Sequence, residues 1–222
     1  MKPCIHKEGL RPIIVAVVLC AALAVGANLL FPSQSVWHIL LYAFLLFVIA
    51  MVVRFFRIPV RRKTLNLDHA VLAPADGEIV ANEIVRETEY FGDERRQISI
   101  FMSIYNVHVN WFPMNGTVSY RKYHPGKFLV AFNPKSSTDN EHNSIVVKDA
   151  QGREVLVRQI AGFVARRIVS KVEAGDPAVA GEELGMIRFG SRVDVFLPVD
   201  AKIRVHIGDK TCGKRTVLAS FY

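Results

Sequence analysis

Hydrophobic and polar residues are distributed very differently in the first quarter of the chain and in the rest. Two uncharged, apolar runs cover residues 13–31 and 36–53, and each is close to the length of about 20 residues that a helix needs to cross a bilayer. The short uncharged segment PSQS, residues 32–35, joins them. The pattern predicts two transmembrane helices connected by a tight turn. A signal peptide would explain only the first run, and a buried helical hairpin of a soluble protein is the alternative.

From residue 64 onward, apolar and polar residues alternate, which is typical of strands with one buried face. In VHVNW, residues 107–111, the alternation places His108 and Asn110 together on one face. The phase of the alternation changes near Tyr105 and Asn106, which predicts a bend or a bulge. The segments NSIVVKD, REVLVRQIAGFVARRIV and DVFLP predict further strands. The apolar residues of QISIFMSI that share one face are Ile98, Ile100, Met102 and Ile104.

These patterns predict a mainly β fold in two parts. Residues 1–63 form a membrane hairpin with basic flanks, and residues 64–222 form a β-rich catalytic domain. Within that domain, IVSKVEAGDPAVAGEELGMI, residues 168–187, has glycines at 175, 181 and 185 in predicted turns between short apolar strands. This segment is similar to the hairpin strands of biotinyl and lipoyl carrier domains. Any β-meander with glycine turns is the alternative.

The distribution of charge predicts how the hairpin is oriented. The chain has 28 basic and 20 acidic residues, a net charge of +8 and a pI of about 9.6. Because basic residues stay in the cytoplasm, both ends of the hairpin and the β domain are expected on the cytoplasmic face of the cell membrane. The cluster also suits anionic headgroups, so a nucleic-acid partner is not expected. The basic residues that flank the hairpin are Lys2, Lys7, Arg11, Arg54, Arg57, Arg61, Arg62 and Lys63.

The dipeptide Gly190-Ser191 lies between two strand-like runs in GMIRFGSRVDVFLP, residues 185–198. Such a pair usually makes only a turn. In a strained turn, however, the serine hydroxyl can attack the preceding carbonyl and convert the amide into an ester. Elimination then leaves a dehydroalanine, which hydrolyses to a pyruvoyl group and ammonia. That ketone can form a Schiff base with a substrate amine and accept electrons, as a pyridoxal cofactor does.

Four segments, together with the hairpin, resemble phosphatidylserine decarboxylase proenzymes of the compact, membrane-anchored form. They are APADG (73–77), IYNVHVNWFPMNG (104–116), NEHN (140–143) and RFGSRVDVFLP (188–198). The resemblance covers essentially the whole chain. It implies a zymogen that cleaves itself between residues 190 and 191 into fragments 1–190 and 191–222, which stay together as a heterodimer. It also implies a lyase of phospholipid biosynthesis that converts phosphatidylserine to phosphatidylethanolamine and carbon dioxide.

The resemblance also implies which residues act. Ser191 becomes the covalent pyruvoyl cofactor, and Gly190 ends the larger fragment. His108 is the base that activates the serine, and Asp76 orients the imidazole in a Ser-His-Asp relay. No metal and no diffusible cofactor are expected. The other histidines of the β domain show no metal-ligand spacing and are interpreted as structural or surface residues: His69, His124, His142 and His206.

One position departs from the family pattern. Many members have a second histidine three residues before the catalytic one, where this chain has Tyr105. A tyrosine offers one hydroxyl and no positive charge at neutral pH, so the residues that bind the substrate stay open. Two alternatives also stay open: a decarboxylase of another serine-headgroup phospholipid, and a non-enzymatic membrane-tethered adaptor with a biotinyl-like domain, which would keep one continuous chain of 24.9 kDa.

Overall fold

The computed structural model describes residues 4–33, 35–61, 69–126, 140–162, 167–188 and 191–221. The chain divides into two compact units, Met1–Val60 and Arg61–Tyr222. Arg61 falls in the second unit, where its guanidinium contacts Asp76.

The first unit contains the two predicted helices. They are α1, Leu10–Leu30, and α2, Val36–Phe55; a 3-10 turn at Lys7–Gly9 precedes α1, and strands β1, Cys4–Ile5, and β2, Arg57–Ile58, pair antiparallel. Both helices are long and apolar enough to cross a membrane. Many of their large apolar side chains are exposed, as expected of side chains that face lipid. Near the loop end of the hairpin, the Asn28 amide donates to the Tyr42 hydroxyl at 2.7 Å, which satisfies two polar groups in an otherwise apolar pair of helices.

The second unit is mainly β, as predicted. Its strands are β3 Ala70–Leu72, β4 Gly77–Arg86, β5 Glu94–Met102, β6 Val109–Trp111, β7 Gly116–His124, β8 His142–Lys148, β9 Glu154–Ala161, β10 Ile168–Val169, β11 Pro177–Ala178, β12 Glu183–Ile187, β13 Ser191–Leu197, β14 Lys202–Ile203, β15 Lys210–Thr211 and β16 Val217–Ser220. Eight of them form an antiparallel sheet in the order β11-β7-β8-β9-β13-β5-β4-β15. Two three-stranded sheets, β10-β12-β6 and β14-β16-β3, complete the described strands of this unit.

Strand β5 shows how the alternation builds the core. Three of the four apolar residues predicted for one face are fully buried: Ile98, Ile100 and Met102. The fourth, Ile104, is 44% exposed, so this part of the prediction is wrong. The strand ends at Met102, and the next residues form a turn in which the Asn106 side chain accepts hydrogen bonds from the backbone and the hydroxyl of Ser103. This turn accounts for the change of phase that the sequence shows.

The segment that resembles carrier domains contributes to two different sheets. Strands β10 and β12 pair with each other, whereas β11 pairs with β7 at the edge of the large sheet. Gly175 and Gly181 have positive φ values of 97° and 77°, as turn glycines often do. The turn predicted at Gly185 is wrong, because this glycine lies inside β12, where a Cβ would come within 2.5 Å of the Val169 carbonyl oxygen. The likeness to biotinyl domains stays an interpretation of the sequence.

Candidate active site

Ser191 is the first residue of β13, an interior strand of the large sheet. Its partners in the register are Met102 of β5 and Ala161 of β9. The residue is fully buried, and its hydroxyl donates to the Met102 sulfur at 3.3 Å. Gly190 lies outside the described residues. The structure therefore holds the serine at the buried end of a paired strand.

His108 lies between the Ser103–Asn106 turn and β6 and is fully buried. Its Nδ1 is 3.1 Å from the carbonyl oxygen of Asn106. Because a carbonyl only accepts, Nδ1 carries a proton, and in the neutral ring Nε2 is then the basic nitrogen. The backbone carbonyl of His108 accepts from the amide of Ile187 at 3.2 Å. His108 is thus bonded to β12, which ends four residues before Ser191.

Asp76 follows Pro74 and Ala75 in a buried loop before β4. Its carboxylate accepts from both Nη atoms of Arg61, with Nη2 to Oδ2 at 2.6 Å, and from the Gly213 amide at 2.9 Å. Arg61 and Gly213 thus hold the Asp76 carboxylate, and the Ser-His-Asp relay that the resemblance implies stays a prediction. A backbone bond links the Asp76 and His108 segments, because the Trp111 amide donates to the Pro74 carbonyl at 2.9 Å.

Arg61 is a site residue that the sequence analysis missed. Its guanidinium lies over the Trp111 ring, 5.4 Å from the centroid, and contacts the Gly213 carbonyl at 3.4 Å as well as Asp76. Burial would lower the pKa of Arg61, but the hydrogen bond and the charge of Asp76 outweigh burial and raise it. In the sequence, Arg61 is one of several basic residues that follow an apolar run, and no spacing connects it with Asp76.

A row of buried amides extends from the serine across the core. The Asn110 amide donates to the Met102 sulfur at 3.7 Å, Gln159 donates to Asn110 at 2.8 Å, and Asn143 donates to Gln159 at 3.0 Å. All three amides are at most 1% exposed. Since buried polar groups are costly unless they are bonded, this row indicates a polar site. The alternation placed Asn110 on the His108 face, but nothing in the sequence indicated Gln159 or Asn143.

The remaining histidines divide into two groups. The His206 side chain is 91% exposed, as expected of a surface residue. His124 and His142 were interpreted as structural or surface residues without metal-ligand spacing, but the structure brings them together with Glu89. The two imidazoles stack with their centroids 4.3 Å apart. Spacing could not reveal this cluster, because its members come from three separate segments.

Comparisons with known proteins identify the family of the chain. The model of the family described as phosphatidylserine decarboxylase matches residues 48–219. A protein of Cytophaga hutchinsonii named phosphatidylserine decarboxylase proenzyme is 46% identical over 98% of this chain and 99% of its own length. Proteins of the same name from Phocaeicola vulgatus and Bacteroides thetaiotaomicron are each 44% identical over 97% of this chain and 94% of their own length.

Proposed function

The chain belongs to the phosphatidylserine decarboxylase family, and we propose that it is a proenzyme that cuts itself between Gly190 and Ser191. The mature protein is a carboxy-lyase that converts phosphatidylserine to phosphatidylethanolamine and carbon dioxide. The observation that carries the proposal is the position of Ser191, a buried serine that begins an interior strand beside a row of buried amides. Family membership favours this enzyme over the tethered adaptor.

Self-cleavage needs no group from outside the chain except water. The Ser191 hydroxyl attacks the Gly190 carbonyl carbon, and the peptide bond becomes an ester with a free amine at residue 191. Loss of the residue 191 α-proton then expels the Gly190 carboxylate and leaves dehydroalanine. This enamine tautomerises to an imine, and water replaces its nitrogen, so that ammonia leaves and a ketone remains. A serine hydroxyl becomes an effective nucleophile only when a base removes its proton.

We assign the base to His108. The hydrogen bond between Nδ1 and the Asn106 carbonyl fixes the tautomer in which Nε2 accepts a proton. The bond between the His108 carbonyl and Ile187 supports the assignment, because it joins the histidine to the strand that leads to the cut. After maturation, the same imidazole can deliver a proton to the substrate carbon that has lost its carboxylate.

Asp76 is assigned a positioning role. Its pair with Arg61 and its bond from Gly213 hold the loop that contains Pro74, and Pro74 in turn bonds to Trp111 of β6, three residues after His108. These hydrogen bonds hold β6, which directly follows His108. Direct orientation of the imidazole by Asp76, the role that the family resemblance implies, is compatible with these bonds, because a carboxylate can accept about four hydrogen bonds.

The surroundings of Ser191 fit the pyruvoyl group that the family resemblance implies. When formed, this group supplies an electron sink for the loss of the substrate carboxylate. The chain's own contribution is a buried site with amide donors, among them those of Asn110 and Gln159, which the structure buries completely. Preorganised donors in such a site stabilise developing negative charge more strongly than water does.

The two apolar helices explain how a lipid substrate reaches the enzyme. Their length and composition suit a membrane anchor, and the basic residues beside them favour a cytoplasmic location of the β domain. With the enzyme anchored, the acyl chains of the substrate can stay in the bilayer while the headgroup enters the site. After cleavage, fragments 1–190 and 191–222 stay together as a heterodimer.

The test is the state of the chain in active material. We expect a small fragment, residues 191–222, that is lighter than its encoded mass by one ammonia, and a Ser191→Ala variant that stays uncut and inactive. Ser119→Ala is the matched control, because Ser119 is an exposed serine whose hydroxyl donates to the Val146 carbonyl at 3.5 Å. Active protein with a continuous chain and an ordinary serine at position 191 would refute the proposal.

A further inference from the structure

Glu89, His124 and His142 form a cluster apart from the residues assigned to catalysis. Each offers one ligand atom, and these atoms lie within 4.8 Å of one another. The two histidines are cross-strand partners at the end of the β7–β8 pair, and Glu89 lies in the turn between β4 and β5. Residues opposite one another on antiparallel strands have side chains on the same face, so the sheet directs both imidazoles to the same side.

The His142 ring is oriented as metal-ligating histidines usually are. Its Nδ1 is 2.7 Å from the carbonyl oxygen of Asn140, so Nδ1 donates and the lone pair of the neutral ring is on Nε2. A histidine that binds a metal commonly donates its other N–H to such a carbonyl.

The Glu89 carboxylate is held with one oxygen toward the histidines. Its Oε2 accepts from the Ser144 hydroxyl at 2.7 Å and from Arg158 at 2.8 Å, whereas Oε1 lies 2.7 Å from His124 Nε2. Arg158 also pairs with Glu87 at 2.7 Å. The carboxylates of Glu87 and Glu89 therefore share the single positive charge of Arg158. The remaining negative charge can neutralise part of the charge of a divalent cation.

We propose that Glu89, His124 and His142 bind a divalent ion of the zinc type through the carboxylate Oε1 and two imidazole nitrogens. Two histidines and a glutamate are a donor set used for zinc, with water at the fourth position. On binding, the His124–Glu89 hydrogen bond is replaced by two bonds to the ion, and the Nε2 proton of the neutral His124 ring passes through solvent to Nδ1, so that the ring stays neutral and Nε2 offers its lone pair. The side chains of His124 and Glu89 are 26% and 12% exposed, so an ion can enter from solvent.

The ion would stabilise the side of the sheet that supports Ser191. Next to His142, Asn140 donates through its amide to the Ala161 carbonyl at 2.7 Å, and Ala161 is the register partner of Ser191. A metal that links His124 to His142 would fix the end of the β7–β8 pair, beside these contacts. The proposal does not rest on the decarboxylase activity, and binding can be measured in an uncut, inactive chain.

The experiment is a titration of the detergent-solubilised full chain, carrying Ser191→Ala and no histidine tag, with Zn²⁺ by calorimetry and with Co²⁺ by visible absorption. We expect one ion per chain and weak or no binding of Mg²⁺, which prefers oxygen ligands. His124→Asn and His142→Asn should each weaken zinc binding by at least about 100-fold. His206→Asn, at an exposed histidine, is the matched control and should bind as the parent protein does.

Thermal melting supplies a second readout. At free zinc about 100 times the dissociation constant, the melting temperature should rise by about 5–10 °C for a domain of this size, and this rise should disappear in His124→Asn. If His142→Asn does not fold, the test relies on His124→Asn alone, because His124 is partly exposed. The proposal is overturned if the parent chain binds no zinc at millimolar concentration, or if folded His124→Asn retains parental affinity and stoichiometry.

Discussion

Replacing Arg61 with glutamine tests whether Asp76 depends on the residue that follows the membrane hairpin. Both Nη atoms of Arg61 donate to the Asp76 carboxylate, and the two side chains are only 15% and 10% exposed. In Arg61→Gln, the carboxylate keeps the Gly213 amide but loses its counter-charge. The guanidinium over the Trp111 ring is lost as well.

The expected loss of stability follows from the burial of the pair. Removing one partner of a buried ion pair costs about 3–5 kcal/mol, because the remaining charge is left uncompensated. Since this pair is slightly exposed, we expect about 2–4 kcal/mol in the free energy of unfolding of the β domain. For a unit of this size, a loss of about 3 kcal/mol lowers the melting temperature by about 6–12 °C. Arg61→Lys keeps the positive charge but not the bidentate hydrogen bonds, and its free energy of unfolding should fall by about 1 kcal/mol.

Fluorescence can report on this site directly. The chain has two tryptophans, so Trp37→Phe leaves Trp111, under the Arg61 guanidinium, as the only one. A Ser191→Ala background keeps every sample uncut during the measurement, and the rate of fragment formation is then measured with Ser191 restored.

Arg57→Gln is the matched control, because it removes one charge from the same basic flank and Arg57 donates to the Arg54 carbonyl. If Arg61→Gln melts within about 1 °C of its parent and is cut at the parental rate, the ion pair does not support Asp76 and its positioning role is wrong.

Three further predictions concern other residues. His108→Gln can keep the bond to Asn106 but lacks a base, so precursor cutting followed on a denaturing gel should slow by at least about 100-fold; normal cutting would remove His108 from the mechanism. Gln159→Leu removes a hydrogen-bond partner from the buried amides of Asn110 and Asn143. The free energy of unfolding measured with denaturant should fall by about 2–4 kcal/mol. A loss under about 1 kcal/mol would show that the row of amides contributes little to stability. Burial raises the pKa of Glu87, but backbone N–H donors and Arg158 outweigh burial and lower it. A lowered folded pKa contributes stability above the ordinary value of about 4.3 that is lost as the pH falls through the folded value. In Glu87→Gln, the free energy of unfolding should therefore fall less steeply as the pH is lowered. An unchanged pH dependence would show that Glu87 is not the source of this loss.

The parts of the fold that the sequence predicted are those with regular periodicity. Two long uncharged runs became α1 and α2, and alternation located β5 and β6, because both patterns depend on neighbouring residues. Both faces of β6 are buried, which alternation alone did not indicate. The errors at Ile104 and Gly185 have the same physical origin. Where a strand ends, and whether a glycine lies in a turn or in a strand, depends on contacts with distant backbone such as the Val169 carbonyl.

The candidate site was predictable only where a motif carries the chemistry. Ser191, His108 and Asp76 each lie in a segment that resembles the family, and the structure buries all three. The Asp76 partners Arg61 and Gly213 were not predictable, nor was the buried amide of Gln159, because these residues meet the site through folding and belong to no motif. The Glu89 cluster was missed for the same reason, since its donors are far apart in the sequence.

The interior position of β13 constrains the order of folding and the proposed cleavage. Residues 191–197 lie between β9 and β5, and Val193, Val195 and Leu197 are fully buried between neighbours that come earlier in the chain. A free peptide of residues 191–222 would have to open a finished sheet to enter it. If the bond before Ser191 is cut as we propose, the strand must therefore be in place before that bond breaks. Cleavage would thus occur only in a chain that had already folded. A misfolded chain would stay uncut and without activity.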